Sequence, residues 1–284
     1  MFEEIEQAAA KGEAVNALCQ MTGLNRAGFY RARTPRQPSP VEMEIRDEMQ
    51  KIALESAAYG YRRITAELQR RGFDINHKRV LRMMREDNLL CVRRRSFVVT
   101  TDSRHNLPIY PNLARQITPT AINQLWVADI TYIRLRTEFV YLAVVLDAFS
   151  RRVIGWELGR TLVAEMPSAA LRMALAERQP QPGLLHHSDR GVQYASQQYT
   201  ELLKQHQVQI SMSRKGNPYD NAACESFMKT LKYEEVYRNE YRDIQEARTR
   251  VGEFLECVYN QKRLHSALGY VPPTEFEQNG GAAQ

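Results

Sequence analysis

No pair of cysteines stands at C-x-x-C spacing: Cys19, Cys91, Cys224 and Cys257 are the only four in 284 residues and lie far apart. That pattern argues against a zinc site and gives no disulfide framework, so it points to a reducing cytosol. Long apolar runs are missing too. The longest, Phe139 to Leu146, falls far short of the roughly 20 residues that cross a bilayer. The opening Met1-Phe2-Glu3-Glu4 has neither the basic flank nor the apolar core of a signal peptide. There is no internal repeat and no sustained heptad, so a coiled coil would have to come from elsewhere. No Ser, Cys or Tyr stands with a His base in a nucleophile motif, which disfavours a covalent enzyme intermediate.

What is present is a globular composition with a basic surplus. Hydrophobic residues make up 43% of the chain, ample for a core, and the formal net charge is +6. The pI near 9.1 fits a polyanionic partner, although clustering of the cations says more than their total.

The basic residues cluster near the N-terminus. Residues 1–34 read as short helices with a turn at Met21-Thr22-Gly23-Leu24 and a last helix, Asn25 to Arg33, that carries Arg26 and Arg31. This layout fits a helix-turn-helix with its recognition helix last; the plainer alternative is a small helical cap. Three prolines make 35–40 a linker. Residues 41–91 read as three helices, Val41 to Ser56, Tyr61 through Leu68, and His77 to Glu86, crowded with arginines that include Arg62, Arg63, Arg79 and Arg82. Such a unit suits phosphate contacts, its alternative being a solvated cationic face. Residues 92–121 read as a basic linker, either laid along a polyanion or simply solvated.

From 122 to 278 the pattern changes to a mixed sheet with helices packed on it. Trp126 to Leu135, Phe139 to Phe149 and Arg152 to Leu158 are joined by short connections and read as an antiparallel meander. A helix over Ala164 to Arg178, a strand at Leu184 to His187, a helix over Ser196 to His206 and a strand at Val208 to Ser213 follow. A helix opening near Asn217-Pro218-Tyr219-Asp220 comes next, with Asn217, Asp220 and Asn221 as capping residues, then a long helix over Ile244 to Tyr259. Residues 279–284 read as a disordered tail.

Three acids stand out in this region. Asp129 interrupts Trp126-Val127-Ala128-Asp129-Ile130-Thr131-Tyr132-Ile133, a strand whose composition tolerates no unpaired charge at the centre of a sheet. Asp189 follows a short apolar strand and precedes an Arg190-Gly191 turn. Glu225 sits on a helix whose apolar face is Ala223, Phe227 and Leu231, with Lys229 and Lys232 near the glutamate. Each acid has a bland alternative: a satisfied buried aspartate, a turn aspartate, a surface glutamate paired with Lys229. Asp147, which also follows an apolar strand, reads as structural, and His186 and His187 read as shaping a strand end. Brought together, the three carboxylates could hold two Mg²⁺ or Mn²⁺ ions that clamp the attacking and leaving oxygens of a phosphodiester exchange. Thirty-five residues separate Asp189 from Glu225.

With that gap, and with WVADITYI, LDAFSRRVIGW, HSDRGVQY, SMSRKGNPYDNAACESF and YNQKRLHSALGY in order, the chain resembles the catalytic chain of bacterial insertion-sequence transposases of the IS-three type. These belong to the DDE transposase and retroviral integrase superfamily. The resemblance implies a ribonuclease-H-like core with a mixed five-stranded sheet, catalytic and metal-binding roles for Asp129, Asp189 and Glu225, and a DNA-touching base at Lys232, with Lys229 a second candidate. It implies recognition of terminal inverted repeats, strand cleavage and transfer, action as an oligomer on DNA in the bacterial cytoplasm, and an upstream helix-turn-helix and coiled-coil partner or fusion made by frameshifting. A metal-dependent nuclease of the same fold, or an inactive regulatory DNA-binding descendant, is the runner-up.

Overall fold

The computed structural model describes residues 4–5, 7–8, 11–33, 39–89, 107–213 and 221–281. The chain divides into two compact units, residues 1–51 and 52–284. Among the described residues no helix is long and apolar enough to cross a membrane.

The first unit holds α1 (Val15–Thr22) and α2 (Arg26–Arg33). Gly23, at φ 68°, ends α1 in a left-handed turn that a side chain would resist. The Asn25 side chain then accepts the Ala27 N–H at 2.8 Å to start α2. Ile5, Cys19 and Phe29 are buried between them, so the helix-turn-helix layout is realised. The helix α3 (Pro40–Glu55) follows.

In the second unit α4 (Tyr61–Arg70) and α5 (His77–Glu86) pack through Ile64, Leu68, Val80, Met83 and Met84. The Asn76 side chain caps α5 by accepting the Arg79 N–H at 2.9 Å. This helical pair is tied to the C-terminal part of the same unit: the Tyr59 hydroxyl accepts the Leu264 N–H at 2.8 Å, and Arg70 grips Glu275 with two bonds of 3.0 and 2.7 Å.

The sheet comprises β1 (Leu125–Arg134), β2 (Phe139–Asp147), β3 (Val153–Gly159), β4 (Leu185–Ser188) and β5 (Gln209–Met212), in the order β3-β2-β1-β4-β5. The first three form the expected antiparallel meander, and β1, β4 and β5 run parallel. This is a ribonuclease-H-like arrangement, with β1 in the centre. Alternation along β1 sends Trp126 and Ala128 into one core, beneath α6 (Glu165–Arg178) and α8 (Gln197–Gln205). Leu125, Val127 and Ile133 enter the other core, beneath α9 (Ala222–Leu231) and α10 (Ile244–Glu253). The short α7 (Val192–Ala195) links β4 to α8. Close packing of α6 on β3 depends on Gly155, where an added Cβ would lie 2.1 Å from the Ala170 carbonyl. A short helix, α11 (Pro273–Gln278), ends the unit.

Asp147 has the structural role expected of it. It is fully buried, and its carboxylate accepts the N–H groups of Asn123 (2.7 Å), Phe149 (2.9 Å) and Ser150 (3.1 Å), closing the turn between β2 and β3. The long helical stretch expected over Ile244 to Tyr259 is present, α-helical to Glu253 and then widened into a π-helical turn, Phe254–Tyr259, that buries Phe254, Leu255 and Tyr259 together. One reading needs correction. The described part of the expected linker, 107–121, is docked rather than solvated. Leu107 and Tyr110 pack on the core, and the Ser211 hydroxyl accepts the N–H groups of Leu113 (2.9 Å) and Ala114 (3.3 Å). Residues 92–106 and the helix-start residues Asn217, Pro218 and Asp220 lie outside the described residues.

Candidate active site

The sheet opens where the acids stand. β4 pairs with β1 only at Leu125, Trp126 and Val127, opposite Leu185, His186 and His187. Continuing that register two residues beyond the last pair sets Asp189 opposite Asp129, on neighbouring strand paths whose usual separation is about 4.8 Å. β4 itself ends at Ser188, and the Asp189 carboxylate turns the chain by accepting the Gly191 N–H at 2.8 Å. Any side chain at Gly191 would meet that carboxylate, since an added Cβ lies 3.0 Å from its oxygen.

Asp129 is half-buried and accepts the N–H of Ile130 at 2.8 Å. Burial pushes its carboxyl up to about 7, and the neighbouring Asp189 and Glu225 carboxylates add to the rise, while the Ile130 N–H and Lys232 oppose it. Cys224, fully buried, reports on all three acids at once. Its thiol is pushed well above the usual range by burial and then by Asp129, Asp189 and Glu225. The three carboxylates thus all act on the Cys224 thiol. Among the described residues, however, no three His, Cys, Asp or Glu side chains close around a single point as a one-ion cage.

Lys232 faces the cluster from the π-helical turn Lys232–Val236 that continues α9. Its ammonium lies 4.5 Å from the centre of the Tyr132 ring. Burial lowers its pKa and Asp129 holds it up. Lys229, one turn nearer Glu225, is exposed.

Two neighbours escaped the sequence reading. Asn221 was assigned to capping, yet its side chain makes no capping bond to α9. Its amide reaches across instead and donates to the Ala128 carbonyl at 3.3 Å, tying the start of α9 to β1 beside Asp129. Tyr194, buried next to Asp129 and Asp189, has its hydroxyl pushed well above the usual range by burial, Tyr199 and those two carboxylates. The HSDRGVQY motif contained this tyrosine, but no local pattern marked it as part of the cluster.

His186 and His187 are buried in β4, facing the Tyr199 hydroxyl at 3.0 Å and the Ser211 hydroxyl at 2.8 Å. Of the proposed DNA-facing arginines, Arg26, Arg62 and Arg82 are exposed, Arg82 within 3.5 Å of Glu86, and Arg79 is half-buried. The side chain of Arg31 lies outside the described residues. Arg63 departs from the expectation. It turns inward over the Tyr59 ring, 3.9 Å from Glu234, because α4 presents this face to the rest of the unit.

The integrase core domain family matches residues 119–218 and again 206–273, and an HTH-like domain matches 40–97. The transposase InsF for insertion sequence IS3A of Escherichia coli (strain K12) is 35% identical over 270 residues, 93% of this chain and 94% of its own. The chain belongs to the IS3 family of insertion-sequence transposases. The transposase for insertion sequence element IS904 of Lactococcus lactis subsp. lactis (strain IL1403) is 39% identical over 248 residues, covering 86% of this transposase and 98% of that protein. The insertion element IS600 31 kDa protein of Shigella sonnei is 38% identical over 268 residues, 92% and 97% of the two chains. The HTH-like match falls on α3 to α5, of which α4 and α5 carry three arginines each, and the integrase match includes the whole sheet.

Proposed function

We propose that this transposase binds the terminal inverted repeats of its insertion sequence, cuts one strand and joins the freed 3′-hydroxyl to a second phosphodiester at the cluster of Asp129, Asp189 and Glu225. The observation that carries this reading is the register of β1 and β4, which continues to Asp189 opposite Asp129, together with the bond by which Asn221 ties the helix bearing Glu225 to the Ala128 carbonyl beside Asp129. Asp129 and Asp189 accept backbone N–H groups, as Asp147 does, but with Glu225 they also gather like charges, which costs free energy unless a cation joins them.

The donor set suits a hard divalent cation. It consists of carboxylate oxygens, and two buried polar atoms nearby, the Tyr194 hydroxyl and the Asn221 side-chain oxygen, have no hydrogen-bond partner among the described residues. Mg²⁺ or Mn²⁺, two ions shared among Asp129, Asp189 and Glu225, would polarise the phosphate and activate the attacking oxygen. Sharing three acids between two ions requires no single three-ligand cage. Lys232 supplies a positive charge beside the reacting phosphate. The tie from Asn221 to the Ala128 carbonyl holds the Glu225 helix against the strand that bears Asp129. Arg62, Arg79 and Arg82 of the HTH-like domain, together with Arg26, Arg31 and Lys229, hold the duplex through its phosphates. Joining two ends requires at least two copies on DNA, with an upstream-frame partner supplying a coiled coil.

Strand transfer by the full chain on duplexes matching the flanks of its own gene, with Mg²⁺ or Mn²⁺, tests the proposal. Asp129→Asn, Asp189→Asn and Glu225→Gln should each reduce transfer to background while repeat binding persists. Transfer that survives any of the three, or binding lost together with it in folded variants, defeats the assignment.

A further inference from the structure

On the face of the sheet that carries Asp129, a cavity of about 440 Å³ opens beside the acids. Leu125 and Val127 of β1 form part of its wall, as do Ala222 and Ser226 of α9, which flank Glu225 in sequence. Val127 precedes Asp129 by two residues, about 7 Å along a strand, so the near wall of the cavity starts about that far from Asp129, and none of the three acids lines it.

The charges in its wall are cationic. Among otherwise neutral residues, Arg63, Arg151 and Arg263 line it together with His265, and Ser226 and Thr230 add hydroxyls, while no carboxylate among the described residues does. Arg263 is committed to Glu234, which it grips with two bonds of 2.8 Å, and Arg63 lies 3.9 Å from the same glutamate. Arg151 has no ion pair or side-chain hydrogen bond among the described residues. Among the described residues, the carboxylate of Glu234 thus answers Arg263 and Arg63, and the charge of Arg151 is left without one. His265 registers that field: burial, then Arg263, Arg63 and Arg151, hold its imidazole neutral down to about 2. Arg151 is also fixed at its root. Its backbone adopts φ 62° and its N–H is bound to the Asp147 carbonyl at 2.9 Å, a left-handed conformation that glycine or asparagine would adopt with less strain. An arginine kept there costs stability, and among the described residues its side chain forms no ion pair and no hydrogen bond.

We infer that this cavity is a phosphate site with Arg151 as its free cation, and that it receives the DNA backbone phosphate next to the one presented to Asp129, Asp189 and Glu225. The source of that phosphate rests on the proposed reading of the acids; the anion site itself stands on the charge count and the cavity. A phosphate here fixes the register of the strand, and the Ser226 hydroxyl can donate to its oxygens, whereas the Thr230 hydroxyl donates to the Ser226 carbonyl at 3.1 Å.

Arg151→Asn removes the charge while suiting the left-handed backbone, and Arg151→Lys keeps the charge. Thermal denaturation of the full chain in rising inorganic phosphate should raise the melting temperature of the wild type and of Arg151→Lys, with a clearly smaller rise for Arg151→Asn. The slope of log affinity against log salt for a terminal-repeat duplex should fall by about 0.9 in Arg151→Asn, the value of one neutralised phosphate. Equal phosphate stabilisation of wild type and Arg151→Asn overturns the anion site, as does its absence from both. Loss of phosphate stabilisation without a change of salt slope leaves a site for free phosphate and overturns the DNA assignment. Failure of the wild type to bind the repeat duplex, with Arg151-dependent phosphate stabilisation intact, sinks the proposed function and leaves the anion site standing.

Discussion

Asp129→Asn should stabilise the metal-free protein while disabling it. Burial, and after it the Asp189 and Glu225 carboxylates, push the Asp129 carboxyl up to about 7 in the fold, against an ordinary value of 3.8. An acid raised in this way destabilises the folded state fully above its folded pKa, progressively less as the pH falls through 7, and not at all below its unfolded value. Three units correspond to roughly 4 kcal/mol at 1.36 kcal/mol per unit; the residual solvent contact of this half-buried group reduces that to about 2–4 kcal/mol. Asparagine keeps the oxygen that accepts the Ile130 N–H and deletes the charge. For a unit of this size the gain amounts to a rise of roughly 4–16 °C in melting temperature. The assay is thermal denaturation of wild type and variant in EDTA at pH 8 and pH 5. The rise should appear at pH 8 and shrink to less than half at pH 5, and added Mn²⁺ should stabilise the wild type but not the variant. A variant no more stable than wild type at pH 8, or a gain undiminished at pH 5, refutes the like-charge account of the cluster.

Two further substitutions probe the scaffold that presents the site. Arg263 is 5% exposed and doubly bonded to Glu234 on the turn that extends the Glu225 helix. Arg263→Met or Glu234→Met alone should cost about 3–5 kcal/mol by stranding a buried charge, and the double variant should lose less than either; urea denaturation showing the two losses simply adding excludes a coupled pair. Asp147→Asn places an NH₂ group against an N–H donor, either that of Asn123 or those of Phe149 and Ser150. It should lower stability by about 1–3 kcal/mol, and calorimetry showing no loss removes Asp147 from its structural role.

The strands and most helices were legible because their periods are local. The alternation along Trp126 to Ile133 and the 3.6-residue spacing of Phe227 and Leu231 set which faces are buried, and the observed boundaries differ from the expected ones by a residue or two. The acids were legible for a different reason: charged residues inside or at the end of apolar strands carry an energetic cost that asks for an explanation. Asn221 misled because an asparagine at a helix start makes a capping bond by local rules, and only the proximity of β1 offers it the Ala128 carbonyl. Arg63 misled for the same reason, since the arginines of α4 look alike until Glu234 and Tyr59 are placed beside one of them.

By itself the sequence determined the order of elements, the central place of the Asp129 strand and the family to which the transposase belongs, since these follow from residue type and spacing along the chain. Tertiary structure alone decided which charges meet. The Arg263–Glu234 grip, the bond from Arg70 to Glu275, the field of three acids at Cys224 and the uncompensated Arg151 join residues from different elements. Electrostatic free energy depends on distance and burial in space, and neither is written in the separation of residues along a chain.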